Sequence, residues 1–276
     1  MFSIGNIVKK DQPYLFWCMR GLPKYKREAV FTLFAFSRHI GDVLYSSMPV
    51  SEKIELLKAW REELDNIYEK HVPQTNIGRK IYKNCLRFNL PKELWSEILD
   101  SAFLNADKPL QAPKENIFTQ YINGTIIVPF TLSLMIINNE HPKANEELAK
   151  NLGQAVGITY MLRDLKDDAK HDRFYIPQEI LQETKIAMNT PLNMLGDKNI
   201  ALARELFARK AESCYGKSER LLNKMNRNET LAFRLIKNIG QCQFDIMKKR
   251  GWEIISPKPR LNFFQRMRIL YQTMVR

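Results

Sequence analysis

The stretch YMLRDLKDDAKHDRFYIPQ, residues 160–178, ends an apolar helical run with clustered acids and continues into a basic segment. Asp164 and Asp168 are four residues apart, so on a helix they share one face, about 40° apart around the axis. Two carboxylates one turn apart repel each other unless a cation lies between them. Acids near the end of a helix also oppose its dipole. The pattern therefore indicates that these acids have a cationic partner.

Two interpretations of this pattern stay open from the spacing alone. Mg²⁺ suits such a pair, because it takes oxygen ligands, keeps several waters and usually bridges to substrate phosphates. Alternatively, the stretch is a solvated helix end whose acids are neutralised by basic neighbours, beginning with the i, i+4 pair of Arg163 and Asp167. The other basic residues available for this are Lys166, Lys170, His171 and Arg173.

The rest of the chain is helical in pattern nearly everywhere and predicts an all-α fold. Its 276 residues, with 45% hydrophobic and 26% charged side chains, are enough for a sizeable core. No linker divides it, so we expect one domain over residues 1–276. Apolar residues recur at helical spacing in 27–45, 51–70 (with Ser51 as N-cap), 77–88, 91–105, 144–168, 198–225 and 228–250.

The uncharged segment 116–139 has the length of a membrane span. Polar residues dilute it, among them Gln120, Asn123 and Thr125. We therefore interpret it as a buried central helix, kinked at Pro129.

Composition also limits the compartment and the partners. Lys and Arg exceed Asp and Glu by 43 to 30, which indicates anionic partners without choosing among phosphates, membranes and nucleic acid. The N-terminal MFSIGNIVKKDQ has no long apolar segment, so no signal peptide is expected. The four cysteines have no CxxC spacing, and we interpret them as reduced thiols of a cytoplasmic protein: Cys18, Cys85, Cys214 and Cys242.

Four stretches together resemble the squalene/phytoene synthase family, the head-to-head prenyltransferases of the all-α isoprenoid synthase fold. The first stretch is FWCMRGLPKYKREAVFTLFAFSRHIGDVL (16–44), and the second is YMLRDLKDDAKHDRFYIPQEIL (160–181). The second is similar to the family's Arg-Asp-x-x-x-Asp motif followed by Gly-Arg-x-Tyr-x-Pro. YINGTIIVP (121–129) and MKKRGWEIISPKPRL (247–261) resemble the middle and C-terminal segments.

The resemblance implies a helical bundle around a central cavity in which Mg²⁺ binds a prenyl diphosphate and helps pyrophosphate to leave. It implies that Asp164 and Asp168 are metal ligands and catalytic residues, with Asp42 and Asp167 as further metal ligands. Arg38, Arg163 and Arg173 are implied to bind the diphosphate. Tyr121 and Tyr175 are implied to be catalytic residues that line the site near the diphosphate.

The chain departs from the family at the first aspartate motif, FAFSRHIGDVLYSS (34–47). Acids of the family stand where this sequence has Gly41, Asp42 and Tyr45, so Asp42 alone remains. Loss of carboxylates should weaken Mg²⁺ binding on that side. Other departures are Tyr14 and Leu15 for a Ser-Phe pair, and Gly157 and Tyr160 for a Gln and an Asn.

The C-terminal residues 258–276, KPRLNFFQRMRILYQTMVR, contain no acid and interleave basic with apolar side chains. This pattern is typical of a helix that binds a membrane surface, which would make the protein cytoplasmic and peripheral at the membrane. A terminal helix packed on the domain, with its basic face in water, is the alternative. Nucleic acid is not expected as a partner, because no binding motif accompanies the charge.

Three functions follow from these observations and stay open. One is a prenyltransferase that couples two prenyl diphosphates. Another is an enzyme that uses a single prenyl diphosphate, and the third is a catalytically degenerate binding or assembly factor, in which Tyr45 fills space left by the metal. Prenyl chain length and oligomeric state are not encoded in any pattern of the sequence.

Overall fold

The structure, a computed structural model, describes residue 19 and residues 21–275. Tyr14, Leu15, Cys18 and Arg276 lie outside the described residues. Within the described part the regular elements are helices, and the one pairing of extended backbone is an isolated bridge between Gln111 and Phe174. The prediction of an all-α fold is confirmed.

The helices follow one another along the chain with short connections. In chain order they are α1 (Lys24–Tyr45), α2 (Val50–Asp65), α3 (Asn76–Phe88), α4 (Lys92–Ala106), α5 (Glu115–Ile122), α6 (Val128–Ile137), α7 (Pro142–Ala169), α8 (Gln178–Glu183), α9 (Pro191–Leu195), α10 (Ile200–Leu222), α11 (Arg227–Arg250) and α12 (Phe263–Val275).

The described residues form two compact units. The first comprises the described residues up to Lys108 together with Tyr121–Lys150, and the second comprises Pro109–Gln120 and the described residues from Asn151 onward. The single domain over residues 1–276 stays a prediction.

The predicted helix boundaries agree with the structure to within a few residues, with one clear error at the start of α2. Pro49 is the N-cap of that helix and no side chain caps it, so the assignment of Ser51 as N-cap is wrong. The fixed φ of a proline suits the residue that leads into a helix, which lets α2 begin before Ser51. A π-helical turn, Asn66–Lys70, extends α2 until His71 adopts a left-handed φ of 58°.

The uncharged segment forms a helix, Glu115–Ile137, that by length and composition alone could cross a membrane. Its middle is a π-helical turn, Asn123–Ile127, placed directly before Pro129. In a π-helical turn the backbone hydrogen bonds join residues five apart, and this turn lies beside a proline that has no N–H to donate. In the first unit, Val128, Leu132 and Ile136 of this helix are buried, as expected for a core helix.

Close packing in the first unit depends on Gly124 in that π-turn. A Cβ atom there would lie 2.3 Å from the carbonyl oxygen of Glu97 and 2.5 Å from the Cβ atom of Ser101, both on α4. Real Cβ atoms do not approach other atoms so closely, so the two helical segments require glycine at this position. Beside this contact, Phe36 packs edge-on against Trp95, with ring centroids 5.3 Å apart.

The core of the second unit brings α10 against α11 and α5. Tyr215 and Phe244 pack with their ring centroids 5.8 Å apart, and Phe118 and Phe207 with theirs 5.3 Å apart. The Tyr215 hydroxyl also lies 2.9 Å from the Thr159 hydroxyl of α7. The described cysteines, Cys85, Cys214 and Cys242, are not joined in disulfides with one another.

We predict opposite effects of Gly→Ala at two helical positions of the first unit. Gly124→Ala should destabilise the protein by about 3 kcal/mol, because the methyl group overpacks the contact with α4. Gly41→Ala, its control, should stabilise the protein by up to about 1 kcal/mol, because a Cβ there meets nothing within 4 Å and alanine favours the helix. Urea unfolding followed by circular dichroism measures both, and equal effects would contradict the close contact.

Candidate functional site

The acids of the stretch 160–178 lie in the last two turns of α7. The carbonyl oxygen of Asp168 accepts hydrogen bonds from the backbone N–H groups of His171 and Arg173, each at 2.9 Å. Between them Asp172 adopts a left-handed φ of 57°, which reverses the chain. The helix therefore ends where the acids are, and the next residues fold back beside them.

Asp164 is held by two cations. Arg163 donates from Nε to Oδ1 at 3.0 Å and from Nη2 to Oδ2 at 2.6 Å. The ammonium of Lys258 donates to Oδ1 at 2.6 Å. Both carboxylate oxygens of Asp164 are thus engaged by charged donors, the strongest kind of protein hydrogen bond.

The other two acids of the cluster also pair with cations. Lys258 Nζ lies 2.7 Å from Oδ2 of Asp167, so one ammonium joins Asp164 and Asp167. Asp168 accepts from Nε of Arg173 at 3.0 Å, and this pair is the least exposed of the cluster, at 15% and 20% of the two side chains. The predicted residues Asp164, Asp167, Asp168, Arg163 and Arg173 are therefore brought together in the second unit.

The acids differ in proton affinity because their surroundings differ. Burial alone would raise the pKa of Asp164, but hydrogen bonds from Arg163 and Lys258 outweigh it and hold the pKa below its ordinary value. Burial raises the pKa of Asp168, and the Asp164 charge adds to this, although Arg173 opposes it. The Asp164 charge raises the pKa of Asp168, which is the repulsion between carboxylates that their spacing in the sequence predicts.

Arg163 is fixed on three sides. Besides Asp164, it contacts Gln243 of α11, with Nη1 3.2 Å from Oε1, and its guanidinium carbon lies 4.3 Å from the centroid of the Tyr160 ring. Burial disfavours its charge, but the bonds to Asp164 raise the pKa of Arg163 above its ordinary value. The guanidinium is therefore a rigid, permanently charged group at the edge of the acidic cluster.

The carboxylates fit Mg²⁺ only in part. Among the described residues no group of three or more His, Cys, Asp or Glu side chains is arranged to hold a metal ion. Mg²⁺ needs only one or two carboxylates when waters and substrate phosphates complete its shell. Asp164 and Asp168 therefore suit an ion that is shared with a substrate and do not form a cage for a permanent one.

The first-motif residues lie in the first unit, on α1. Arg38 Nε donates to Oδ1 of Asp42 at 2.7 Å, an exposed pair one turn apart. A Cβ at Gly41 would meet open space, and the Tyr45 side chain is 56% exposed. The idea that Tyr45 fills a former metal cavity is therefore wrong, because a ring this exposed to solvent fills no cavity.

The two tyrosines predicted near the diphosphate are both buried. Tyr121 lies in the first unit at the end of α5, and Tyr175 lies in the second unit on the segment that leaves α7, each 5% exposed. The backbone N–H of neighbouring Phe174 donates to the Leu110 carbonyl at 2.8 Å, and the Phe174 carbonyl accepts from the Ala112 N–H at 2.7 Å. These bonds fix the backbone on which Arg173 and Tyr175 are placed.

Sequence reasoning missed two residues of this site. Tyr160 stood out only as a departure from the family, although its i, i+3 spacing from Arg163 places the two on one helical face. Lys258 was counted in the basic C-terminal segment, and no local pattern links it to acids 94 residues away. A separate cavity of about 520 Å³ between α10, α11 and α12 includes none of the predicted site residues in its lining.

Comparison with known proteins identifies what this arrangement is similar to. Residues 8–264 match the family model described as Squalene/phytoene synthase. The Presqualene diphosphate synthase of Sinorhizobium fredii is 25% identical over 254 residues, covering 92% of this chain and 90% of that protein. A solved dehydrosqualene synthase in complex with ligand superimposes with a TM-score of 0.83 at 20% identity, covering 98% of this chain and 93% of that one.

A relative with a different kind of name also matches. The human NADH dehydrogenase (ubiquinone) complex I, assembly factor 6 is 26% identical over 206 residues, covering 72% of this chain and 59% of that protein. The similarity thus extends to proteins named as synthases and to proteins named as assembly factors.

We predict that the Tyr160 ring stabilises the charged Arg163. Tyr160→Leu should unfold about 1 kcal/mol more easily than Tyr160→Phe, because phenylalanine keeps the ring face and leucine does not. Urea unfolding of the two variants gives this difference. In an Arg163→Met background the difference should vanish, and its persistence there would show that packing, and not the cation, is responsible.

Proposed function

The chain belongs to the squalene/phytoene synthase family, and from that premise we propose that it joins two prenyl diphosphates head to head with release of pyrophosphate. The observation that carries the proposal is the charged cluster at the end of α7. Asp164 and Asp168 face the same way there, with guanidinium groups of Arg163 and Arg173 in contact with them. Alternating anions and cations of this kind suit a cation-bound diphosphate.

The proposed reaction needs pyrophosphate as a leaving group and a carbocation that is protected from water. The C1–O bond of one prenyl diphosphate breaks, and its electron pair leaves with pyrophosphate. The double bond of the second prenyl diphosphate forms a carbon–carbon bond to C1, a proton is lost, and the second diphosphate is retained. Mg²⁺, when bound, would stabilise charge on the leaving oxygens.

Each residue has a role in this proposal. Asp164 and Asp168 hold the cation, with Asp167 and Asp42 as further carboxylates. Arg163, Arg173 and Arg38 hold diphosphate oxygens, because guanidinium groups bind phosphate bidentately. Tyr175 and Tyr121, both buried, would lie near the diphosphate, and apolar surroundings there would exclude water from the carbocation.

A binding or assembly role is the second candidate. The observation that favours it is the first motif, where Asp42 is paired with Arg38 and neither Gly41 nor Tyr45 supplies a carboxylate. Use of a single prenyl diphosphate is an intermediate possibility, since the second motif alone could ionise one substrate. The name of the S. fredii relative makes presqualene diphosphate the first product to seek, and farnesyl and geranylgeranyl diphosphates are the substrates to test.

We predict that the purified protein with Mg²⁺ releases pyrophosphate from farnesyl or geranylgeranyl diphosphate and forms a head-to-head product. Asp164→Asn and Asp168→Asn should each lower the rate at least about 100-fold, on the scale of losing a group that stabilises transition-state charge. Asp172→Asn is the control, because this acid is exposed and asparagine tolerates its positive φ.

The products separate the three candidate functions. Pyrophosphate without a coupled product would support the single-substrate enzyme. No turnover at any chain length, with circular dichroism showing a folded protein, would contradict catalysis and leave the binding or assembly role.

We also infer that α12 attaches the protein to the cytoplasmic surface of a membrane. Ile269 and Thr273 are buried, and Thr273 accepts hydrogen bonds from Arg227 and Asn238 of α11, which fix the inward side of α12. The outward side is apolar, with exposures of 50–79%: Phe263, Phe264, Met267, Tyr271 and Met274. Arg266 and Arg268 are exposed on the same helix.

This arrangement combines both alternatives for the C-terminal helix. The helix packs on its unit, yet it leaves aromatic and basic side chains together in solvent. Apolar side chains that enter the acyl boundary and arginines that meet anionic headgroups are the two components of interfacial binding. A lipid surface would also suit prenyl substrates, which partition into membranes.

We predict that Phe263→Glu with Phe264→Glu weakens binding to vesicles of phosphatidylcholine and phosphatidylglycerol by about tenfold or more, because two new charges enter the boundary. Both side chains are exposed, so stability should not change. Leu86→Glu on α3, at a position 68% exposed, is the control. Co-sedimentation measures binding, and equal loss in the double variant and the control would contradict a dedicated surface.

A further inference from the structure

The acidic cluster at the end of α7 is already neutralised by the protein itself. Arg173 contacts Asp168, Arg163 contacts Asp164, and Lys258 contacts both Asp164 and Asp167. Three cations lie within 3.0 Å of the three carboxylates, and the Lys170 ammonium lies farther away, 3.9 Å from Asp167. A divalent ion that approached this cluster would meet net attraction only if one of these cations moved away.

Lys258 is the cation that can move. Arg163 is held by Gln243 and by the Tyr160 ring as well as by Asp164, and it lies on the same helix as the acids. Among the described residues the Lys258 ammonium forms hydrogen bonds and ion pairs with its two carboxylates alone, and its side chain is 39% exposed. An ammonium at the end of four methylene groups is easily hydrated. Displacing the lysine therefore costs less than displacing the arginine.

Lys258 reaches the cluster on a segment that we name the 251–262 strap. The strap leaves α11 at Gly251, whose φ of 93° favours glycine. Trp252 then packs on Phe244, with ring centroids 5.7 Å apart, and its carbonyl accepts a hydrogen bond from buried Arg204. These anchors place the strap so that its lysine extends to the end of α7.

The far end of the strap is anchored as well. Pro259 is buried directly after Lys258, and Asn262 caps α12 by accepting from the backbone N–H of Gln265 at 2.8 Å. Packing of Pro259 and the cap at Asn262 thus fix the backbone after the lysine, while the lysine side chain itself is 39% exposed.

We propose that Lys258 is an internal cation of the second aspartate motif, and that a divalent ion binds Asp164 only by displacing the Lys258 ammonium. Mg²⁺ binds a carboxylate oxygen at about 2.0–2.1 Å. Arg163 donates to both oxygens of Asp164 and Lys258 donates to Oδ1 at 2.6 Å, so an ion that took Oδ1 would compete with the Lys258 ammonium. Lys258 thereby lowers the affinity for a divalent ion when no substrate is present.

The proposal rests on the assigned role of Asp164 as a cation ligand, so the test measures cation binding in variants of both residues. Mn²⁺ is the probe, and electron paramagnetic resonance of free Mn²⁺ gives its dissociation constant with the full chain and no diphosphate. Lys258→Met keeps the length of the side chain and removes the charge. Lys170→Met is the matched control, because its ammonium lies near Asp167, at 3.9 Å, and does not contact Asp164.

We predict that Lys258→Met binds Mn²⁺ at least about tenfold more tightly than the unaltered protein. A neighbouring opposite charge changes the proton affinity of a carboxylate by about tenfold or more. We expect a change of the same size in its affinity for Mn²⁺ when that charge is removed. Lys258→Gln should act in the same direction, and Lys170→Met should change the affinity by less than about threefold, since its charge is exposed and screened. Asp164→Asn should abolish the gain.

The outcomes separate this inference from the proposed function. Suppose that Mn²⁺ binds and that Asp164→Asn weakens the binding. If Lys258→Met then leaves the Mn²⁺ affinity unchanged or lowers it, the internal-cation role is overturned while the cation site stands. If Asp164→Asn changes nothing in either background, the cation site fails and the inference fails with it.

Displacement also has a direct chemical readout. Amine acetylation at Lys258, followed by mass spectrometry, should be faster with Mn²⁺ than with chelator, because the displaced amine leaves its two carboxylate contacts and becomes accessible to the reagent. Lys248, an exposed lysine paired with Glu212 on α10, should label at one rate under both conditions. Equal labelling of Lys258 with and without saturating Mn²⁺ would overturn displacement.

Discussion

Three carboxylates at the negative end of a helix must be compensated, and this constraint organises the described second unit. The end of α7 carries Asp164, Asp167 and Asp168, which repel each other and the helix dipole. Compensation comes from the helix itself through Arg163, from the segment directly after it through Arg173, and from the 251–262 strap through Lys258. Residues far apart in sequence are thus tied to one helix terminus.

The segments that supply these cations are themselves fixed by backbone bonds and packing. Residues 110–113 pair with residues 174–178, including the 2.9 Å bond from the Gln178 N–H to the Pro113 carbonyl. Glu115, at the start of α5, is held by Lys210 of α10 at 2.7 Å. The charged groups of the cluster therefore rest on a rigid frame, as electrostatic binding of a diphosphate would require.

The two aspartate motifs have diverged to different degrees. The second keeps its acids and the arginines around them, and it sits on well-packed backbone. The first keeps Asp42, which lies in an exposed pair with Arg38, and its neighbours Gly41 and Tyr45 face open space or solvent. Proteins named as synthases and proteins named as assembly factors are both similar to this chain.

The sequence by itself determined the helical class, the helix boundaries to within a few residues, and the placing of Asp164 and Asp168 on one face of α7, because all three depend on the 3.6-residue period. The pairing of the acids did not follow from local spacing: the expected i, i+4 pair of Arg163 with Asp167 is wrong, because Arg163 contacts Asp164 and Lys258 contacts Asp167. Tertiary structure decided the rest: that Lys258 joins Asp164 to Asp167, that Gly124 allows α4 to approach, and that the aromatic side of α12 faces outward. Each of these depends on which segments meet after folding, and a one-dimensional period carries no information about contacts between segments far apart in the chain.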